Sequence, residues 1–189
     1  MLRFFRFGAA LLLTANLISL PPAQADPLSS PTASIFYGVR VGLLAHDVGG
    51  LWSNTRAEGG VDANAEILLR QPSMVLWGGV VLPNVGVSIN SQGDTSKVYG
   101  GAVWEFLFGN GLFFNTGLGL ALHDGHLESE DSNNKQLGSR LLFRIPVEVG
   151  VTFFERHRLS ILFDHVSNAY LAEPNEGLDT LGVRYGFQF

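Results

Sequence analysis

Hydrophobic and polar residues alternate along most of the chain. In 35–43 the odd positions are all apolar or aromatic, and the even positions include Arg40. The same period of two runs through 61–69 and through 141–151, where Arg144 lies among the polar positions. Because successive side chains of a strand point to opposite sides, this pattern predicts β-strands with two chemically different faces.

Eight segments carry this pattern, and the connections between them alternate in length. Short connections such as 71–73 and 109–111 alternate with mostly longer polar ones such as 124–136. This arrangement predicts an all-β fold, an eight-stranded antiparallel transmembrane β-barrel of the bacterial outer membrane, with the long loops outside. The predicted strands span roughly 34–47, 58–70, 74–90, 97–108, 112–123, 137–154, 158–169 and 177–189.

A soluble eight-stranded barrel of the lipocalin kind fits the same strand pattern. The two barrels differ in which face is apolar, and the polar face here mixes both signs of charge. Such a set suits the interior of a narrow membrane barrel, where charges pair, and the alternating aromatics Tyr185, Phe187 and Phe189 favour a membrane girdle. The predicted interior positions are Arg40, Asp62, Asn64, Glu66, Glu105, Asn115, Arg140, Arg144, Glu148, Asp164, Arg184 and Gln188.

The N-terminal segment has the features of a secretory signal peptide. Two arginines precede the apolar run 7–20, and the small-residue site 23–25 follows it. We therefore expect residues 1–25 to be cleaved and 26–189 to form one barrel domain. Loss of the two arginines moves the formal charge from -5 to -7, and an acidic chain argues against a nucleic-acid partner. The sequence has no cysteine, which excludes a disulfide framework and thiolate chemistry.

The stretch DHVSNAYLAEPNEGLD, residues 164–179, carries polar groups where lipid-facing residues are expected. His165 and Ser167 share the parity of the outward apolar row of the seventh predicted strand, and Asp179 shares that of the eighth. A hairpin centred near residue 172 would bring Asp179 opposite His165 at the outer end of the barrel. Polar groups on the lipid face are costly except near the interface, so their presence favours a function.

These residue types suggest nucleophilic catalysis. Ser167 becomes a nucleophile when His165 takes its proton, and the Asp179 carboxylate can fix the imidazole tautomer and stabilise the imidazolium. Asn168 could donate its amide to an oxyanion if the strand end bulges. From the residues alone, a rim of polar side chains that meets lipid headgroups stays an open alternative.

The run His-Val-Ser-Asn-Ala at 165–169 and the run Pro-Asn-Glu-Gly-Leu-Asp at 174–179, followed by an aromatic-rich last strand, resemble the outer-membrane lipid A 3-O-deacylases of the PagL type. That resemblance implies a serine triad on the outer wall of the barrel, with Ser167 as nucleophile, His165 as base and Asp179 as acid.

The same resemblance assigns Asn168 to the oxyanion hole. The best-known family members have glutamate where this chain has Asp179, which leaves Glu176 and Glu173 as lesser candidates for the acid.

The resemblance also implies the substrate, lipid A of lipopolysaccharide, cut at the ester that attaches the 3-hydroxyacyl chain at position 3. It implies neither a cofactor nor a metal. Two other functions stay open, a non-catalytic barrel that serves envelope integrity or surface interaction, and a phospholipase or acyltransferase. A homodimer is a further arrangement that the sequence leaves open.

Three other groups are interpreted as structural. The pair 46–47, His-Asp, is predicted to be a solvated strand end. The acidic and histidine-containing run 123–131 is read as a polar external loop in preference to a divalent cation site. Trp52, Trp77 and Trp104 are read as interfacial anchors or packing residues in preference to substrate platforms.

Overall fold

A computed structural model describes residues 35–53, 57–70 and 74–189 of the chain. The expected signal peptide, 1–25, and the short turn 71–73 lie outside the described residues. The described part contains nine antiparallel strands. The strands are β1 (Phe36–Ala45), β2 (Val61–Leu69), β3 (Val75–Leu76), β4 (Gly79–Asn90), β5 (Lys97–Leu107), β6 (Leu112–His123), β7 (Leu141–Phe153), β8 (His157–Ser167) and β9 (Leu178–Gln188).

The strands form a closed barrel. They follow the order β2-β1-β9-β8-β7-β6-β5-β4, and pairing of β2 with β4 closes the ring. The predicted eight-stranded antiparallel barrel is therefore confirmed. The predicted strand 74–90 differs, because Trp77 and Gly78 turn with φ angles of 48° and 83° and separate the two-residue strand β3 from β4. Within the described ranges, no helix is long and apolar enough to cross a membrane.

The apolar rows of the strands face outward. On β6, Leu118, Leu120 and Leu122 are 63%, 44% and 54% exposed, whereas Ala121 between them is 1% exposed. Exposed apolar rows around the whole ring are the surface that a bilayer covers. The soluble, lipocalin-like alternative needs the opposite orientation and does not fit this surface.

Paired charges fill the interior. Arg184 lies 2.8 Å from Glu148 and 3.3 Å from Glu66, and Arg40 lies 3.0 Å and 3.1 Å from the same two carboxylates. Their side chains are almost completely buried, as the predicted inward set requires. Arg140 differs from the prediction, because it precedes β7 and is exposed, with its guanidinium donating to carbonyls of the neighbouring loop.

Four long loops meet at one end of the barrel, which we call the loop end. The first loop connects β1 to β2 and is described over 46–53 and 57–60, the second loop is 91–96, the third 124–140 and the fourth 168–177. The loop end is the end to which β8 and β9 bring the candidate residues His165, Ser167 and Asp179.

A buried cluster of charged residues joins these loops, and it corrects the prediction that His46 and Asp47 form a solvated strand end. Both residues are buried, at 1% and 0% exposure. His46 Nδ1 lies 2.8 Å from Asp62 Oδ1, and His46 Nε2 lies 2.9 Å from Glu58 Oε2. Asp47 Oδ1 pairs with Lys135 Nζ of the third loop at 2.9 Å. His46 and Asp47 are buried because the long loops fold over the strand ends. We call His46, Asp47, Glu58, Asp62 and Lys135 the loop-end cluster.

Candidate active site

The β8–β9 hairpin brings the predicted triad residues together. His165 pairs with Asp179 in the ladder between the two strands, and Ser167 is the last residue of β8. All three belong to the outward rows, since Leu159 and Ile161 on β8 are exposed and their neighbours on the strand are buried. The site therefore lies on the outer wall, near the loop end.

The imidazole of His165 joins the serine and the carboxylate. Its Nδ1 lies 2.6 Å from Asp179 Oδ1, and its Nε2 lies 3.0 Å from Ser167 Oγ. Because the carboxylate can only accept, Nδ1 carries the proton and donates it, which leaves Nε2 free to accept from the serine hydroxyl. This is the hydrogen-bond order of a serine hydrolase triad.

The first loop covers the carboxylate of Asp179. The backbone N–H groups of Trp52 and Ser53 donate to Asp179 Oδ2 at 2.8 Å and 2.7 Å. The N–H of Val48 donates to the Asp179 carbonyl at 2.9 Å. Asp179 is consequently fully buried although its parity is outward, whereas the His165 side chain keeps 12% exposure.

The indole of Trp52 stands against the imidazole. Its ring centroid lies 5.1 Å from that of His165 at an interplanar angle of 77°, and 5.4 Å from that of Phe163 at 87°. Both are edge-to-face contacts of the kind that aromatic rings prefer. Half of the Trp52 side chain stays exposed beside the site.

Asn168, which follows Ser167 in the chain, contacts the loops and not the imidazole. Its side-chain Nδ2 donates to the carbonyls of Leu137 and Pro174, both at 3.0 Å, and the residue is 2% exposed. The amide therefore ties the third and fourth loops together. Because Nδ2 already donates to these two carbonyls, the role of Asn168 in an oxyanion hole stays a prediction.

The two lesser candidates for the acid do not contact the imidazole. Glu176 accepts the backbone N–H of Gln136 at 2.7 Å, which fixes its carboxylate to the third loop. Glu173 is exposed. Among the described carboxylates, the one hydrogen-bonded to His165 is that of Asp179.

Two residues of the fourth loop shape the surroundings of the serine. Asn175 Oδ1 accepts the N–H of Asn168 at 3.0 Å and so holds the backbone that follows Ser167. Gly177 has a φ of +67°, and a Cβ placed there would lie 3.2 Å from His165 Cε1. Glycine at this position leaves room directly beside the imidazole.

The described residues contain no group of three histidine, cysteine or acidic side chains arranged to hold a metal ion. In the run 123–131, His123 Nε2 hydrogen-bonds to the carbonyl of Ser139 at 2.7 Å. That histidine therefore serves the packing of the third loop.

Sequence reasoning did not find the role of the first loop. Trp52 was interpreted as an anchor or packing residue, and nothing marked Ser53. Their contacts with Asp179 join positions 127 and 126 residues apart, and only the closed ring brings them together. The nearest signal in the sequence was the polar His46–Asp47 pair, which starts that loop.

The segment that contains the candidate triad also matches a known protein family. A family model described as lipid A 3-O-deacylase (PagL) matches residues 75–188, which include His165, Ser167 and Asp179. The chain belongs to the PagL family. This membership and the closed barrel place it in the bacterial outer membrane.

Two PagL proteins show how far the likeness extends. Lipid A deacylase PagL of Bordetella bronchiseptica is 26% identical over an alignment of 120 residues, which covers 60% of this chain and 65% of that protein. The chain thus matches slightly less than two thirds of this relative. The crystal structure of the outer membrane enzyme PagL superposes with a TM-score of 0.58 at 19% identity, over 79% of this chain and 99% of the other.

Proposed function

We propose that the chain is an outer-membrane esterase that hydrolyses the 3-O-linked 3-hydroxyacyl chain of lipid A. The observation that carries this proposal is the hydrogen-bonded order Ser167–His165–Asp179 on the outer wall of the barrel. The match of the PagL model across these residues supports the substrate. In this proposal Ser167 is the nucleophile, His165 the general base and Asp179 the acid.

Acylation begins when Ser167 Oγ attacks the ester carbonyl carbon. His165 Nε2 takes the hydroxyl proton, and the Asp179 carboxylate stabilises the resulting imidazolium through Nδ1. The tetrahedral intermediate collapses as the bond between the carbonyl carbon and the sugar oxygen breaks. His165 then returns its proton to that oxygen, which leaves an acyl-serine and a free hydroxyl on lipid A.

Deacylation repeats these steps with water. His165 takes a proton from the water molecule as its oxygen attacks the acyl-serine carbonyl. When the bond to Ser167 Oγ breaks, the proton moves to that oxygen and a free 3-hydroxy fatty acid is released.

The position of the site suits a substrate that stays in the membrane. Below Ser167 and His165 the outer row of β8 continues as Phe163, Ile161 and Leu159, the last two about half exposed. This apolar wall can lie against acyl chains while the ester, near the loop end, reaches the serine. Lipid A can therefore enter laterally, within the outer leaflet.

Mass spectrometry of lipid A from Gram-negative cells tests the proposal. Cells that express the wild-type chain should lose one 3-hydroxyacyl mass, and cells that express Ser167→Ala should not, since loss of a triad nucleophile lowers kcat by roughly 10⁴-fold or more. Ser132→Ala, an exposed serine of the third loop, is the matched control. Heat-modifiable gel mobility verifies that each variant folds as a barrel.

Two outcomes would contradict the proposal. Unchanged lipid A with a Ser167-dependent change in glycerophospholipids would assign the triad to a phospholipase. Unchanged lipids of both classes in cells with a folded, inserted wild-type barrel would leave a non-catalytic barrel.

A further inference from the structure

The first loop contacts two members of the triad although no part of it belongs to β8 or β9. We propose that this loop is a positioning element of the reaction, and that Trp52 is its main positioning side chain. The inference rests on the proposed serine esterase function, and it adds a role for residues 46–53, which precede the segment matched by the family model.

The first step in the argument concerns the acid. The Asp179 carboxylate serves His165 only while one of its oxygens faces Nδ1. The N–H groups of Trp52 and Ser53 fix Asp179 Oδ2 from one side, which leaves Oδ1 to face His165. Hydrogen bonds from N–H groups to a charged carboxylate are among the stronger ones in proteins. The loop backbone thus sets the orientation of the acid.

The second step concerns the base. The Trp52 indole meets the His165 ring edge-to-face and also rests on Phe163, so the imidazole has an aromatic wall on one side. That wall limits rotation of the imidazole and excludes water from the side that it covers. Both effects keep Nε2 directed at Ser167 Oγ.

The third step concerns the loop itself, which is held in place at its start. Asp47 pairs with Lys135, and the other oxygen of Asp47 accepts the N–H groups of Ala57 and Glu58 at 2.7 Å and 3.1 Å. Within the loop, the N–H of Gly50 donates to the Ser53 carbonyl at 3.0 Å. Because these bonds form within the protein alone, the loop can hold the triad before a substrate arrives.

Trp52 as a simple interfacial anchor would lead to a different expectation. An anchor affects insertion and lipid contact, and leaves the reactivity of Ser167 unchanged. A positioning residue changes that reactivity even when the probe is a small molecule that needs no lipid-binding surface.

The test uses the full barrel in detergent micelles and a fluorophosphonate probe. Ser167 Oγ attacks the phosphorus, His165 accepts the proton and fluoride leaves, so the labelling rate reports activation of the serine without lipid A. Three variants are compared with the wild type: Trp52→Ala, Trp52→Phe, and Trp77→Ala as the matched control. Trp77 is also an exposed tryptophan, 82% against 53% for Trp52, and it lies at the opposite end of the barrel, where it stacks on Trp104.

We expect Trp52→Ala to lower the labelling rate and the kcat for lipid A each by roughly tenfold or more, with little change in KM. Trp52→Phe keeps an aromatic edge and should recover most of that loss. Trp77→Ala should label at the wild-type rate. Every variant must show the heat-modifiable mobility of the folded barrel.

Other results overturn the inference. Labelling of Trp52→Ala at the wild-type rate, or a rise in KM alone, would make Trp52 a lipid contact. If Trp52→Phe lowers the labelling rate as much as Trp52→Ala does, an aromatic edge does not position the imidazole. If the wild type is labelled but leaves lipid A intact, the proposed substrate fails while slow labelling of Trp52→Ala still supports the positioning role. A wild type that does not label at all overturns the serine mechanism, and the positioning role with it.

Discussion

Raising the pH is expected to weaken the loop end of the barrel through His46. Burial disfavours the charged imidazolium, but hydrogen bonds and charge interactions with Asp62 and Glu58 outweigh it and raise the pKa of His46 to about 9. The ion pair of Asp47 and Lys135 belongs to the same charged cluster as His46. The folded chain therefore holds a proton on His46 at pH values where the unfolded chain has released it.

The size of the effect follows from the two pKa values. The unfolded value is 6.5 and the folded value about 9, and each pKa unit corresponds to about 1.4 kcal/mol, so protonated His46 contributes about 3 kcal/mol of unfolding free energy. Because the folded pKa is the higher one, this contribution is fully present below pH 6.5. It declines as the pH rises and is lost above about pH 9.

The assay is denaturant unfolding of the barrel in micelles across this pH range, followed by tryptophan fluorescence. Between pH 6.5 and about 10, the free energy of unfolding of the wild type should fall by about 3 kcal/mol more than that of His46→Gln. His126→Gln, an exposed histidine of the third loop, should retain the wild-type pH dependence. Equal slopes in the wild type and His46→Gln would refute the assignment of the proton to His46.

Two substitutions test the geometry of the triad. Asp179→Asn should lower kcat roughly 10⁴-fold without unfolding the barrel, because an amide turned toward Nδ1 favours the wrong imidazole tautomer. Ester hydrolysis by the purified variant checks this, with Asp131→Asn in the third loop as control, and a residual activity above roughly a tenth would contradict it. Gly177→Ala should also reduce hydrolysis, since a Cβ there lies 3.2 Å from His165 Cε1. Gly93→Ala has a similar positive φ with nothing within 4 Å, so equal losses in both variants would attribute the effect to backbone strain alone.

The barrel could be predicted from the sequence because strand periodicity is a local property. The alternation in 39–43 or 141–151 shows which side chains face the same way, and the outward parity of His165, Ser167 and Asp179 follows from counting alone. Tyr37 departs from the odd row of 35–43, because an irregularity in register between Phe36 and Gly38 lets its hydroxyl donate to the interior Glu105. The ladder register that pairs His165 with Asp179 needed one more assumption, the centre of a short hairpin. That assumption held since β8 and β9 are consecutive in the chain.

What the sequence did not reveal depends on closure of the ring. Trp52 reaches His165 only because β1, the first strand, pairs with β9, the last. The buried state of His46 and Asp47 likewise requires loops from distant parts of the chain to meet at one end. The turn between β3 and β4 was not predicted for a different reason, because Trp77 adopts a positive φ that its residue type rarely shows.

The interior ion pairs have a consequence for the membrane that holds this barrel. Arg184, Glu148, Glu66 and Arg40 are at most 3% exposed, so the middle of the barrel is filled by side chains. Many larger outer-membrane barrels are channels, whereas the interior of this barrel is filled and the candidate triad lies on its outer wall. A bacterium can therefore raise the amount of such a protein without opening a route through its outer membrane for antibiotics or other small solutes.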